Sequence, residues 1–147
     1  MKKTIQRLKN ERGLTLVELL AVIVILAIVA IIAFVFIGGI IENSKKDAHV
    51  ANAQQIISAA KLNEATGGSF PVSADELKKS QHLGEILDPW NKTEYTRLGN
   101  VKVTKSGNQY TITNFNGKGC NIESATEQQL SDKGRELCTS GKPPTNK

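Results

Sequence analysis

The chain has 147 residues, with 19 basic and 14 acidic side chains and a hydrophobic share of 39%. That length admits one domain of ordinary size and excludes a multidomain enzyme. Lys2, Lys3, Arg7, Lys9 and Arg12 stand against the single acid Glu11 within residues 1–13, so +4 of the formal +5 belongs to the N-terminal segment, and the pI near 9.3 gives little support to a nucleic-acid-binding protein.

Behind this basic segment comes an apolar run. The 23 positions from Leu19 to Ile41 are all Leu, Ile, Val, Ala, Phe or Gly, and no charge occurs between Glu18 and Glu42. As a helix such a run extends roughly 34 Å, enough to cross a hydrocarbon core of about 30 Å. A domain this small cannot cover such a segment on all sides, which predicts membrane residence. The positive-inside rule places the N-terminus in the cytoplasm and residues 42–147 outside. A cleaved secretory signal fits poorly, because its apolar region runs only about 7–15 residues and ends at small residues, whereas this run passes through Phe34-Val35-Phe36-Ile37-Gly38-Gly39. An uncleaved signal anchor fits better.

Glu18 lies inside the apolar block, after Leu14-Thr15-Leu16-Val17. A membrane carboxylate either reaches the headgroups or finds a cation at its own depth. A newly made α-amino group at Leu14 would be such a cation, about 6 Å along the helix.

Arg12-Gly13-Leu14-Thr15-Leu16-Val17-Glu18-Leu19-Leu20 resembles the N-terminal signature of type IV prepilins and pseudopilins. The resemblance implies a leader of residues 1–13 cut after Gly13 on the cytoplasmic side by a prepilin peptidase/N-methyltransferase. Leu14 would then be N-methylated, and Glu18, fifth in the mature chain, would pair with the N-terminal amine of a neighbouring subunit. The remaining partners implied are other (pseudo)pilins or further copies, a filament assembly platform, and membrane lipid. The sequence departs from the usual pattern in having Leu14 where Phe is common and no proline mid-stem. Gly38-Gly39 either loosens the helix or forms a close-packing surface.

The implied fold is α+β: a long N-terminal helix, its first half transmembrane or filament core (14–41), its amphipathic second half (42–66) packed on a small antiparallel sheet in a head (67–140). Val50, Ala53, Ile56, Ile57, Ala60 and Leu62 give the amphipathic stripe, and Gly67-Gly68 ends the helix. Ser73 to Glu76 has capping-box spacing for a short helix through Lys79. Asn100–Lys105 and Gln109–Phe115 alternate as strands around Ser106-Gly107-Asn108, a β-hairpin, within an expected two or three strands. Ser124 to Glu127 again has capping-box spacing, for a helix through about Leu137. A tail, 141–147, is expected to be disordered.

Leu87-Asp88-Pro89-Trp90-Asn91 is similar to the Asp-Pro-Trp stretch of many pseudopilin heads, where nearby oxygens sometimes hold calcium. The other reading is a turn fixed by Pro89 with Trp90 anchoring the loop on the helix. Cys120 and Cys138 are the only cysteines. Outside the cytoplasm they form either a disulfide or two buried thiols, and the resemblance implies a C-terminal disulfide loop. His49 and His82 lack spaced partners, so no metal and no cofactor is expected. No phosphate loop or nucleophile motif is present, which predicts a non-enzyme. Asn91-Lys92-Thr93 fits a glycosylation sequon, a triplet that also arises by chance.

The function so implied is a filament subunit: of a pilus, a secretion pseudopilus or a competence filament. Two alternatives carry different expectations. An uncleaved, signal-anchored surface binding protein would keep its leader and stay a monomer. DNA contact by the head would need a local basic patch, for instance Lys102, Lys105 and Lys118.

Overall fold

The computed structural model describes residues 15–139 in full and carries the first helix as backbone to Lys2. The tail 141–147 and the side chains at the Gly13–Leu14 junction lie outside the described residues. Helix α1 spans Lys2–Ala65, and the chain divides into two compact units, Met1–Ile41 and Glu42–Lys147.

The first unit is apolar helix. Every residue from Thr15 to Ile41 is exposed, Phe34 as much as 81%. A helix apolar on all faces has no stable place in water, and this one is long and apolar enough to cross a membrane. The helix is unbroken at Gly38 and Gly39, where open space surrounds the position of a Cβ.

In the second unit the same helix becomes amphipathic. His49, Val50, Ala53, Ile56, Ile57, Ala59 and Ala60 are buried, a stripe at three- and four-residue spacing. Leu62 departs from the expectation and is 49% exposed. It follows Ala60 by two residues, about 200° around the helix, and so faces the opposite side. The helix ends in a Schellman motif: Gly67 takes a left-handed φ of 93°, its N–H donates to the Glu64 carbonyl, and the Gly68 N–H donates to the Asn63 carbonyl.

A four-stranded antiparallel sheet packs in this unit in the order β1-β2-β3-β4. The strands are β1 Val72–Ser73, β2 Lys102–Ser106, β3 Gln109–Asn116 and β4 Asn121–Thr126. The β2–β3 hairpin pairs Val103 with Ile112 and Lys105 with Tyr110 around Gly107. Val103, Ile112, Phe115 and Ile122 from the sheet, Leu77 and Leu130 from the short helices, and the α1 stripe form one core. Sequence alternation placed the hairpin but started it too early, since Asn100 belongs to a 3-10 turn, Leu98–Asn100.

Helix α2, Ala74–Lys79, has the capping box at Ser73 and Glu76. The second expected box is displaced. Ser124 lies in β4 opposite Thr113, so the chain is still extended there. The cap is Thr126, which accepts from Gln129 N–H while Gln129 reaches back to the Thr126 N–H. Helix α3 then covers only Glu127–Lys133, because Gly134 at φ 50° leaves the α conformation and a 3-10 turn, Gly134–Leu137, follows.

The hairpin is fastened to α1 by a charged clamp. Tyr110 donates its hydroxyl to Glu64 at 2.6 Å, Lys105 pairs with the same carboxylate, and Lys61 and Lys105 lie 5.0 and 5.4 Å from the Tyr110 ring centre. Hydrogen bonds from Lys105, then Tyr110, hold the Glu64 carboxyl below the usual range.

Candidate functional site

Two regions carry the residues that the sequence singled out. The first is the start of the apolar helix. Glu18 is exposed there between Leu16, Val17, Leu19 and Leu20, which are 55–69% exposed. Whatever covers that apolar surface must also accommodate a carboxylate, and an uncompensated charge in such a setting costs several kcal/mol.

The second region joins the Asp88-Pro89-Trp90 loop, the β3–β4 turn and α1 in the head. Asp88 is 5% exposed. Its Oδ1 accepts the Trp90 N–H at 2.9 Å, and its Oδ2 accepts the Lys118 N–H at 2.9 Å. Both oxygens thus serve backbone donors, the arrangement of a turn cap. The described residues contain no group of three or more His, Cys, Asp or Glu placed to hold a metal. The Trp90 indole N–H donates to Glu42 at 3.0 and 3.2 Å, which ties the loop to the helix. The turn fits against it only because it is glycine. A Cβ on Gly119 would lie 2.3 Å from the Trp90 ring, and one on Gly117 would lie 2.9 Å from the His49 ring.

His49 sits under this turn, fully buried. Its ring stacks on Phe115 at 4.2 Å with 10° between planes. Nε2 lies 3.4 Å from the Phe115 carbonyl and Nδ1 lies 2.8 Å from the Tyr95 hydroxyl. A carbonyl only accepts, so Nε2 carries the proton and Nδ1 accepts from Tyr95. The Tyr95 oxygen in turn accepts from Asn52 at 3.1 Å. Burial pushes the Tyr95 hydroxyl above its ordinary pKa. Burial likewise lowers the His49 pKa from 6.5 to about 4, against smaller opposing contributions from the Phe115 carbonyl and Asp88.

This shift has a consequence for stability. Below pH 6.5 the unfolded chain takes up a proton that folded His49 refuses until about pH 4. His49 therefore contributes stability above pH 6.5, and that contribution is lost as pH falls. The head is expected to lose on the order of 2 kcal/mol between pH 7.5 and pH 5. Urea unfolding followed by the fluorescence of Trp90, the one tryptophan, should show this drop in the wild type and a flat response in His49→Gln over the same interval.

Cys120 and Cys138 are joined by a disulfide, and Asn121 and Thr139 pair beside it through both backbone bonds. Arg135, in the loop so closed, reaches Asp47 of α1 at 3.2 Å. The three lysines considered for a basic patch are not brought together as one face. Lys102 is exposed on β2, whereas Lys105, three residues on, points to the other face and engages Glu64. Lys118 lies in the β3–β4 turn. His82 lies beside Ser80, with 2.8 Å between Nδ1 and the hydroxyl. The sequence reading missed His49 as a core residue, although it falls on the apolar stripe one position before Val50. It also missed the glycine requirement at 117 and 119.

The prokaryotic N-terminal methylation motif matches residues 8–34. No curated protein and no solved structure matches the chain. The motif is the type IV pilin and pseudopilin signature, and here it heads a long apolar helix followed by a four-stranded α+β head. The chain thus carries the type IV pilin and pseudopilin signature at its N-terminus, and its apolar helix fits a membrane-anchored precursor.

Proposed function

We propose that this chain is a prepilin, a structural subunit of a type IV pilus or pseudopilus filament. In this reading the leader inserts with its basic residues in the cytoplasm, the head lies outside, a prepilin peptidase cuts after Gly13, and Leu14 is N-methylated. Extraction from lipid would expose the apolar helix, so assembly must bury it against neighbouring stems. Glu18 then sets axial register by meeting the N-terminal amine of another subunit, since a paired ion in an apolar setting is favoured over an unpaired one. Gly38 and Gly39, with open space around them, allow close approach of helices.

The observation that carries this reading is a lone carboxylate inside an exposed apolar helix that lies within the matched motif. The Cys120–Cys138 disulfide suits a head on the oxidising side of the membrane. The role is structural, as in the family whose signature the chain carries. Shearing cells and sedimenting the released material tests it. The chain is expected in the filament fraction of cells with an active prepilin peptidase, and in the membrane fraction alone when the peptidase is deleted. Its absence from filaments in both strains would favour a signal-anchored monomer.

A further inference from the structure

The head holds a cleft of about 380 Å³ between the 88–97 loop, the end of β3 and the β3–β4 turn, within the size range of small-molecule sites. Buried Tyr95 and Val101 contribute to its floor. The ionised groups around it are unequally engaged. Asp88 gives both oxygens to backbone N–H groups, and Glu94 pairs with Lys78. Arg97 and Lys118 also line the cleft, and among the described residues neither side chain engages a carboxylate. The negative charges are therefore compensated while two cations remain available. Asn91, Asn114 and Asn116 line the same cleft. Asn114 holds a left-handed φ of 59° inside β3, a conformation that asparagine adopts more readily than most residues.

Two cations and three carboxamides in one concave site match a ligand with one anionic group and several hydroxyls. Arg97 is suited to a planar carboxylate through its paired N–H donors. The Asn114 and Asn116 amides each offer a donor and an acceptor to a vicinal hydroxyl, and Asn91, whose Oδ1 accepts the Thr93 N–H at 3.3 Å, offers its NH2 donors. We propose that this cleft binds an acidic saccharide of the uronic acid class, its carboxylate held by Arg97 and Lys118 and its hydroxyls by the three asparagines. The proposal stands on the head alone and is independent of filament assembly.

Calorimetric titration of the full-length protein in detergent micelles tests it, with digalacturonate, neutral galactobiose and inorganic phosphate as separate probes. Digalacturonate is expected to bind the wild type, and Arg97→Gln to weaken it by roughly tenfold or more. Lys102→Gln, an exposed position outside the cleft, should bind as the wild type does. Unfolding curves followed by Trp90 fluorescence establish that each variant is folded. Absence of digalacturonate binding to the wild type, or unchanged binding by folded Arg97→Gln, would overturn the proposal. Phosphate or galactobiose binding as tightly as digalacturonate would also overturn it, in favour of a simple anion site or a neutral-sugar site.

Discussion

Glu18→Ala is expected to be processed normally after Gly13 yet to enter filaments at no more than about a tenth of the wild-type level. The proposed junction lies four residues upstream, and the substitution leaves the basic segment and the apolar run intact. Insertion and cleavage should therefore proceed, and a more apolar helix should reside in the membrane at least as well. Assembly differs, because there the proposed partner of Glu18 is a charged amine that must enter an apolar helix bundle. Removing one member of a buried ion pair strands the other, at a cost of about 3–5 kcal/mol, whereas a tenfold loss needs only about 1.4 kcal/mol. Immunoblots of sheared filaments and of membranes read both quantities from one culture. Wild-type incorporation of Glu18→Ala would show that the carboxylate does not set register.

Phe115→Ala should produce the largest loss of head stability, about 3–5 kcal/mol. Phe115 is fully buried. It carries the stacked His49 ring at 4.2 Å on one side and meets the Tyr95 ring at 4.8 Å. Truncation removes the apolar burial and leaves a cavity whose walls are an imidazole and a phenol already committed to each other by hydrogen bonding. Those side chains cannot collapse into the space without breaking that bond. Small domains are stable by only about 5–15 kcal/mol, so the variant is expected to be marginal, whereas Phe115→Leu should cost less, about 1.5 kcal/mol. Urea unfolding followed by Trp90 fluorescence measures both. A Phe115→Ala midpoint within error of the wild type would mean that the stack contributes little to the fold.

How much of this was legible in the sequence depended on the kind of signal. The apolar run, the methylation signature and the Gly67-Gly68 stop are local patterns, and each is readable without tertiary context. The same holds for the alternation of Val103, Tyr110 and Ile112 and for the capping box at Ser73. Strand β4 was missed because Asn121–Thr126 does not alternate cleanly. Its burial follows from β3 on one side and from the disulfide-closed segment on the other. The false cap at Ser124 has the same cause: spacing alone does not reveal that the chain is still paired with Thr113. His49 looked isolated because its partners, Tyr95 and Phe115, are 46 and 66 residues away. The cleft was invisible for a related reason, since it is assembled from the 88–97 loop, the end of β3 and the turn after it. The cation at Arg97 becomes meaningful only once Glu94 is seen to be occupied by Lys78.

The most direct test of the central claim is the intact mass and N-terminal sequence of the chain recovered from the filament fraction. A mature chain beginning at N-methylated Leu14 is the predicted result, since assembly requires the amine that Glu18 is proposed to meet. A chain in that fraction still beginning at Met1 would contradict the account, because the basic leader would then occupy the place of that amine.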